Sequence, residues 1–352
     1  MKNRLSSLLV SSLFLSFLLS ACTSMKILKY EKEDLLAKNA EFEKQDVVKP
    51  VEDVPQNKVT ENIATKPAEA IVHKAPVIVK TPLKKKAKKK SAEPETVVVG
   101  RQPELEDSEG FNNLRRPPLD PFRVGEKVIH SVRYFSAEAG QLTLEVQPFL
   151  EVNSKKSYHF QIGCKTSSLF SKFYSVDDLV DTYMDYENLV PHVYKMSVRE
   201  TGKLAQSQVY FNHDLLRSNF WEKKYTEKNG QEENKKAWDI LPFSQNAFSG
   251  IFYMRIFNWQ VGKQYSFRVS DDEKNVIFKG TALAKEKLET EAGTFNAIKI
   301  KTDIISRGAL TPSGNIYMWV SDDDRKLLLR IEAEIKIGKI VSEVIEIEKG
   351  KP

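Results

Sequence analysis

The residues whose types and spacing indicate chemistry most clearly are Leu19-Ser20-Ala21-Cys22. The segment before them starts with the basic residues Lys2 and Arg4 and continues as a mostly apolar run over residues 5–19. A basic start, an apolar run and small residues before a cut are the three parts of an export signal. The run is shorter than the roughly 20 apolar residues that span a bilayer, which disfavours a transmembrane anchor. Cys22 therefore stands where the signal would be cleaved, unless an ordinary signal peptide carries it there by chance.

The tetrad resembles the lipobox of bacterial lipoproteins. This resemblance implies that the signal peptide, residues 1–21, is removed, that Cys22 is diacylated and that the new N-terminus is acylated. Three acyl chains would anchor the chain firmly, because each buried CH₂ contributes about 0.8 kcal/mol. Thr23 occupies the position at which an Asp retains enterobacterial lipoproteins in the inner membrane. The resemblance therefore implies an outer-membrane protein that faces the periplasm, with exposure at the cell surface as the alternative.

A second group of residues has the types that a ligand cavity needs. Aromatic rings suit an acyl chain or a sugar ring, and a lysine beside them suits an anionic group. One part of the group lies before Asp178, and the other lies on a helix predicted over residues 245–257 that could close the cavity. The alternative is that these aromatics belong to a packed core. The candidate cavity residues are Phe170, Lys172, Phe173, Tyr174, Phe248, Phe252 and Tyr253.

The remaining residue types form no catalytic or metal-binding pattern. The sequence contains no GxSxG, HExxH, phosphate-binding loop or dinucleotide fingerprint, and no CxxC pair. The acidic turns at 177–178, 271–273 and 322–324 lack calcium-loop spacing. His213 and Asp214 are adjacent, which on a strand sends their side chains to opposite faces. We therefore predict no enzyme, no metal and no cofactor, with His130 a hydrogen-bonded core residue and Cys164 a buried thiol.

Composition divides the chain into two parts. Residues 121–352 carry 33 Lys and Arg against 31 Asp and Glu, and they hold all four tryptophans. The core must therefore be built after about residue 120, and its near-neutral charge gives no nucleic-acid footprint. The predicted organisation is a signal peptide (1–21), a lipidated N-terminus with a short helix (22–45), a Pro- and Lys-rich disordered linker (46–118) and a β domain (119–350).

A dense run of lysines lies inside the predicted linker. Seven of the eleven residues 80–90 are lysine. Each lysine near an anionic surface contributes about 1 kcal/mol of attraction, so the run would suit lipid headgroups, lipopolysaccharide or peptidoglycan. The alternative is a self-repelling segment that keeps the linker extended. The candidate residues for anionic-surface binding are Lys84, Lys85, Lys86, Lys88, Lys89 and Lys90.

Short alternating stretches dominate the C-terminal part. Val128, His130, Val132 and Tyr134 share one face of a candidate strand, and Tyr158, Phe160, Ile162 and Cys164 repeat the pattern. A turn is expected at Ala139-Gly140, and Ile331 to Ile337 is expected to form one half-buried strand. About twelve strands at hairpin spacing predict a mainly β fold, an antiparallel barrel, half-barrel or sandwich with one helical insertion.

The order of several motifs resembles one family. These are Gly125-Glu126-Lys127, the stretch from Phe170 to Asp178, Tyr253 with Arg255, and Trp319 with Asp322. Together they are similar to the bacterial exported domain of unknown function 3108 family over about residues 120–348. The resemblance implies an envelope protein of antiparallel β structure, and it supplies no catalytic residues.

Two functions follow as expectations. In the first, the β domain of an outer-membrane lipoprotein binds a hydrophobic or glycan envelope ligand in a cavity bordered by Phe173, Tyr174, Phe248 and Phe252. In the second, it is a structural or interaction protein that meets an envelope partner through its surface and the basic linker. A cavity would favour the first, and a filled interior with an exposed apolar patch would favour the second.

Overall fold

The computed structural model describes residues 48–50, 119–306, 309–310, 315–335 and 337–351. The predicted signal peptide (1–21), the predicted lipidated N-terminus with a short helix (22–45) and the lysine run lie outside the described residues. No helix within the described ranges combines the length and the apolar character needed to cross a membrane.

The described residues form sixteen strands and one short α-helix, α1. The helix covers Ala247–Tyr253 and continues as a 3-10 turn over Met254–Ile256. The strands are β1 (Val48–Pro50), β2 (Glu126–Tyr134), β3 (Ala137–Val152), β4 (Lys155–Thr166), β5 (Asp177–Asp185), β6 (Pro191–Glu200), β7 (Lys203–Asn212), β8 (Arg217–Thr226), β9 (Gly230–Asp239), β10 (Gln264–Asp271), β11 (Lys274–Thr290), β12 (Gly293–Ser306), β13 (Ala309–Leu310), β14 (Ile316–Ser321), β15 (Leu328–Glu334) and β16 (Lys339–Lys349).

One antiparallel sheet contains all of these strands. Its main path runs β10-β11-β12-β14-β15-β16-β2-β3-β4-β5-β6-β7-β8-β9, with β1 beside β3 and β13 beside β12. Most neighbours are consecutive in sequence, as expected for hairpins joined by tight turns. The pairing of β16 with β2 is the long-range step that joins the two halves of the sheet. The predicted mainly β antiparallel class is confirmed, in the form of an open sheet.

Side chains join the two outer strands of the main path. Trp238 of β9 donates its indole N–H to Ser270 Oγ at 2.9 Å, and Asn275 donates to the carbonyl of Asp239 at 2.9 Å. Lys236 forms an ion pair with Asp272 at 3.1 Å. These contacts connect the outer edges where a ladder of backbone hydrogen bonds would close a barrel.

Helix α1 is buried against the sheet, and its first turn is well capped. Asn246 accepts hydrogen bonds from the N–H groups of Phe248 and Ser249, and Ser249 Oγ accepts one from the N–H of Asn246. This reciprocal pair is a capping box. The helix predicted over 245–257 is therefore confirmed, with its last turn tightened to a 3-10 helix.

Two local predictions were wrong. The first turn of the domain lies at Phe135-Ser136, whereas Gly140 lies inside β3, where the carbonyl oxygen of Lys165 approaches too closely for any side chain. The end of the expected strand 331–337 is also misplaced. β15 ends at Glu334, and Ile337 lies in the following turn with 69% of its surface exposed.

Strand β1 lies within the range 46–118 that the sequence predicts as a linker. Val48, Lys49 and Pro50 pair with Val152, Glu151 and Leu150 of β3. The pairing of β2 with β3 reaches only as far as Glu145, so the last part of β3 has a free edge there. Proline is tolerated at such an edge because its missing N–H does not interrupt an inner ladder.

Candidate functional site

A groove of about 570 Å³ lies on strands β7, β8 and β9. Aromatic rings, two lysines and one amide contribute to it. Its lining residues are Tyr210, Asn219, Phe220, Trp221, Lys235, Lys236 and Ala237. This volume lies within the roughly 300–1,000 Å³ that is typical of small-molecule sites.

The β8–β9 hairpin sets the composition of the groove. Its register pairs Trp221 with Lys235 and Asn219 with Ala237, and Asn219 also pairs with Tyr210 of β7. Alternate residues of a strand share one face, so these five side chains lie on the same face of the sheet. The sequence analysis missed this site, because a two-residue turn at Asn229-Gly230 would place Trp221 opposite Trp238, whereas the observed register pairs Thr226 with Gly230 and Trp221 with Lys235.

Charge and aromatic surface meet at the centre of the groove. Lys235 Nζ lies 3.9 Å from the centroid of the Trp221 ring, a cation–π contact. Tyr210 donates its hydroxyl to Gln208 Oε1 at 2.6 Å. On the other face of β9, hydrogen bonding to Glu273 and Asp272 raises the pKa of Lys236. Trp221 is only 5% exposed, whereas Lys235 is exposed, so the groove combines a mostly covered aromatic ring with an accessible cation. This combination suits a sugar ring that carries an acidic group.

Three of the predicted cavity residues belong to the packed core. Phe248, Phe252 and Tyr253 of α1 are at most 6% exposed. The ring of Phe252 stacks on Phe160 at 4.1 Å, and Phe248 packs edge-on against Tyr194. These helical aromatics therefore pack in the hydrophobic core of the domain.

The other four predicted cavity residues lie in the β4–β5 connection. Phe170 and Lys172 belong to a 3-10 turn, and Phe173 after it is 78% exposed. Tyr174 donates its hydroxyl to Glu200 at 2.9 Å. The predicted set is therefore divided between a surface turn and the buried helix. The lining of the described groove contains none of the seven.

A buried carboxyl group lies close to this connection. Asp178 of β5 accepts a hydrogen bond from the N–H of Arg199 at 2.9 Å, and its second oxygen has no hydrogen-bond partner among the described residues. Burial, with repulsion from Glu200, raises the pKa of Asp178 to about 7. Cys164 lies opposite Asp178 in the register, and burial raises the pKa of its thiol to about 12. The half-buried Cys164 is therefore a weak nucleophile at neutral pH.

Two histidines pair with aspartates in contacts that the sequence did not reveal. His159 Nε2 lies 2.7 Å from Asp181 on the neighbouring strand, and His192 Nε2 lies 3.1 Å from Asp185. Burial acts to raise the pKa of Asp181, but hydrogen bonds from His159 and Gln161 outweigh it and hold that pKa below its usual value. No group of three or more His, Cys, Asp or Glu in the described ranges is placed to hold a metal ion.

His130 is the hydrogen-bonded core residue that its position predicted. Its Nε2–H donates to the carbonyl of Leu328 at 3.0 Å, and Ser342 donates its hydroxyl to Nδ1 at 3.2 Å. The carbonyl can only accept, which sets this tautomer. Burial lowers the pKa of His130 to about 4, so the ring is neutral in the folded protein.

This buried imidazole should make the fold sensitive to acid. Between pH 6.5 and pH 4 this histidine is protonated in the unfolded chain but remains neutral in the folded protein. The free energy of unfolding therefore decreases as the pH falls through that window. The loss should reach about 3 kcal/mol, and it should be absent above pH 6.5. Urea unfolding of wild type and His130→Gln across pH 4–8 measures it. Identical pH dependence in the two proteins would show that His130 is not the titrating group.

The fold and the groove place the protein in the class of mainly β domains that are built on one open antiparallel sheet with a buried helix. Within that class, the chain belongs to the family described as protein of unknown function (DUF3108), whose model matches residues 130–345. The resemblance noted in the sequence is thereby confirmed.

Solved structures supply three further comparisons. A β-barrel-like protein of the domain of unknown function DUF1849 from Brucella abortus is 8% identical, with a TM-score of 0.42, covering 64% of this chain and 98% of its own. A candidate lipoprotein from Parabacteroides distasonis is 12% identical, with a TM-score of 0.29 and coverages of 64% and 95%. A candidate exported protein with a YmcC-like fold from Bacteroides fragilis is 10% identical, with a TM-score of 0.29 and coverages of 65% and 98%. No curated protein matches the sequence.

Proposed function

We propose that the chain is an exported lipoprotein, anchored in the outer membrane through Cys22, whose β domain binds an acidic glycan of the cell envelope in the groove of β7–β9. The observation that carries this proposal is the cation–π contact between Lys235 and Trp221 among the residues that line the groove. The lipobox tetrad and the basic linker support the compartment. Nothing in the family match or in the described residues points to catalysis.

The shape of the site favours a glycan over an acyl chain. An acyl chain needs an enclosed apolar cavity, whereas the helix aromatics Phe248 and Phe252 fill the interior of the sheet. The groove is not an enclosed cavity, and its lining combines the rings of Trp221 and Tyr210 with the amide of Asn219. A sugar ring presents an apolar face for stacking and hydroxyls for the amide, so it matches this combination.

The second function, an interaction protein of the envelope, has an observation of its own. The interior is filled, and several large apolar side chains on the turns are exposed, with Phe173 at 78% and Leu215 at 74%. Exposed apolar patches mark contacts with proteins or membranes. A surface role of this kind is compatible with glycan binding, because it uses different residues.

Glycan binding predicts a charge-dependent loss of affinity in Lys235→Gln. The probes are the phosphorylated core oligosaccharide of lipopolysaccharide and its dephosphorylated form, measured by titration calorimetry on the full chain. Removing the cation should weaken binding of the phosphorylated probe roughly tenfold, or about 1.4 kcal/mol, and change binding of the neutral probe little.

The matched control is Lys263→Gln. Lys263 is also an exposed lysine over an aromatic ring, at 5.8 Å from the centroid of Tyr265, and it lies outside the groove. Its replacement should leave both affinities unchanged. Equal binding by wild type and Lys235→Gln, or no binding of either probe, would rule out the proposed site.

A further inference from the structure

Four large apolar side chains are exposed on turns of the sheet. Phe135 lies in the β2–β3 turn, Leu169 and Phe173 lie in the β4–β5 connection, and Ile337 lies in the β15–β16 turn. Their exposed fractions are 65%, 59%, 78% and 69%. We call these four residues the apolar turn end.

The strand register brings these turns to the same end of the sheet. Tyr134, the last residue of β2, pairs with Ala137 of β3 and with Ile340 of β16. Gly140 of β3 pairs in turn with Thr166, the last residue of β4. The three turns therefore follow one another along β16, β2, β3 and β4.

Direct contacts join neighbouring turns. The rings of Tyr134 and Phe135 lie 4.4 Å apart, and Tyr134 donates its hydroxyl to the carbonyl of Ile337 at 2.9 Å. The N–H of Ser167 donates to the carbonyl of Ala139 at 2.9 Å. The three turns that carry the apolar turn end are thus neighbours at one end of the sheet.

The conformation of Phe135 adds a second observation. Its φ is +48°, and that of Ser136 is +66°. A two-residue turn with both φ values positive favours Asn-Gly, and a bulky residue there is strained. Phe135 costs the protein backbone strain and also exposes an aromatic ring to water. A residue that is unfavourable on both counts suggests a role outside folding.

We propose that the apolar turn end is a membrane-contact surface that inserts into the headgroup region of a lipid bilayer. Its side chains stand on separate turns, which suits a fluid bilayer that can fit around each of them. Lys172 lies between Leu169 and Phe173, and no carboxylate of the described residues is within ion-pair distance of it. Its amine is therefore available to lipid phosphates.

The length of the tether allows this contact. β1 pairs with the last residues of β3, at the end of the sheet opposite the apolar turn end. If Cys22 carries the acyl anchor, a premise that rests on the proposed function, residues 23–47 span at most about 90 Å. Strand β3 spans about 55 Å at its full length. The tether is therefore long enough for the apolar turn end to reach the bilayer that holds the acyl chains.

Fluorescence in vesicles tests the contact on the full chain. The protein is extracted in detergent and reconstituted into vesicles of phosphatidylethanolamine and phosphatidylglycerol. An environment-sensitive fluorophore is attached at Leu169→Cys in a Cys164→Ser background, and the vesicles contain lipid-borne quencher. The control carries the fluorophore at Leu215→Cys, in the β7–β8 turn at the opposite end, where the wild-type leucine is 74% exposed.

The expected result is a blue-shifted, quenched signal at 169 and an unshifted, unquenched signal at 215. Adding Phe135→Asn or Phe173→Ser should lower the ratio of docked to free domain roughly tenfold for each side chain removed. Asn suits the positive φ of position 135, so Phe135→Asn should keep the wild-type melting temperature. Loss of docking in that variant therefore cannot be attributed to unfolding.

The other outcomes separate the two proposals. A vesicle-bound protein with an unquenched label at 169 would overturn the membrane-contact surface and leave the acyl anchor standing. A protein that does not associate with vesicles at all would overturn both.

Discussion

Replacing Arg255 with methionine should lower the free energy of unfolding by about 3–5 kcal/mol, because it leaves a buried carboxylate without its main partner. Arg255 follows α1, and Glu126 begins β2; their exposed fractions are 6% and 2%. The guanidinium donates to both carboxylate oxygens of Glu126, at 2.6 and 3.0 Å. It also donates to the carbonyls of Pro121 and Arg325, at 2.9 and 3.0 Å.

This cluster fastens four parts of the chain together. Arg325 approaches the same carboxylate from the β14–β15 turn, and Arg255 lies over the ring of Phe122 at 5.1 Å. Methionine can replace the packing of the aliphatic part of arginine but none of its hydrogen bonds. The decrease in the free energy of unfolding therefore measures the contribution of the polar contacts. Chemical denaturation with urea measures the change.

An exposed ion pair provides the control for Arg255→Met. Lys165 and Asp177 lie 3.5 Å apart, with side chains that are 70% and 53% exposed. Lys165→Met should change stability by less than about 1 kcal/mol, since water screens such pairs. A similar small change in Arg255→Met would mean that the cluster contributes no more than a surface pair.

Gly140→Ala should destabilise the domain by about 3 kcal/mol or more. A Cβ at position 140 would lie 2.3 Å from the carbonyl oxygen of Lys165, which is backbone of β4 and cannot rotate away. The two strands would have to separate at the pair Gly140–Thr166, next to the bulge at Val132 and Arg133. Forcing atoms into a packed site costs about 1–3 kcal/mol, and breaking ladder hydrogen bonds adds to this cost.

Gly163→Ala is the matched control, because Gly163 lies on β4 within the same sheet. Its added Cβ would find its nearest neighbour, Thr143 Cβ, at 3.8 Å, an ordinary contact. We expect a change of less than about 1 kcal/mol at this position. Thermal unfolding of both variants makes the comparison. If Gly140→Ala has the same melting temperature as Gly163→Ala and wild type, β4 can move away from position 140 at less cost than the register implies.

Local patterns predicted much of the fold. Alternation placed Val128, His130 and Val132 on one buried face of β2, and the apolar stretch after residue 245 indicated the helix. Both signals are local, because the side-chain period of a strand or a helix depends on adjacent residues only. The turn at Asn229-Gly230 was equally plain in the sequence.

What the sequence could not supply depends on distant residues. Glu126 and Arg255 are 129 positions apart, and no local pattern links them. The close approach to Gly140 comes from the carbonyl of Lys165 on the neighbouring strand. Since the sequence does not show this contact, the glycine was predicted to lie in a turn. The predicted cavity included both Phe173, which is exposed, and Phe252, which is buried. The sequence alone does not show on which side of the sheet an aromatic residue lies.

The pairing of β16 with β2 bears on how the protein is made. His130 and Ser342, which share a hydrogen bond across these strands, are 212 positions apart. As the chain folds, one edge of β2 therefore lacks its hydrogen-bond partner until the distant strand β16 pairs with it. Closing so long a loop adds entropy cost to the folding barrier, and topologies with such non-local contacts fold slowly. The two halves of the sheet are therefore joined only when this last strand of the chain is added, in one step, between β15 and β2.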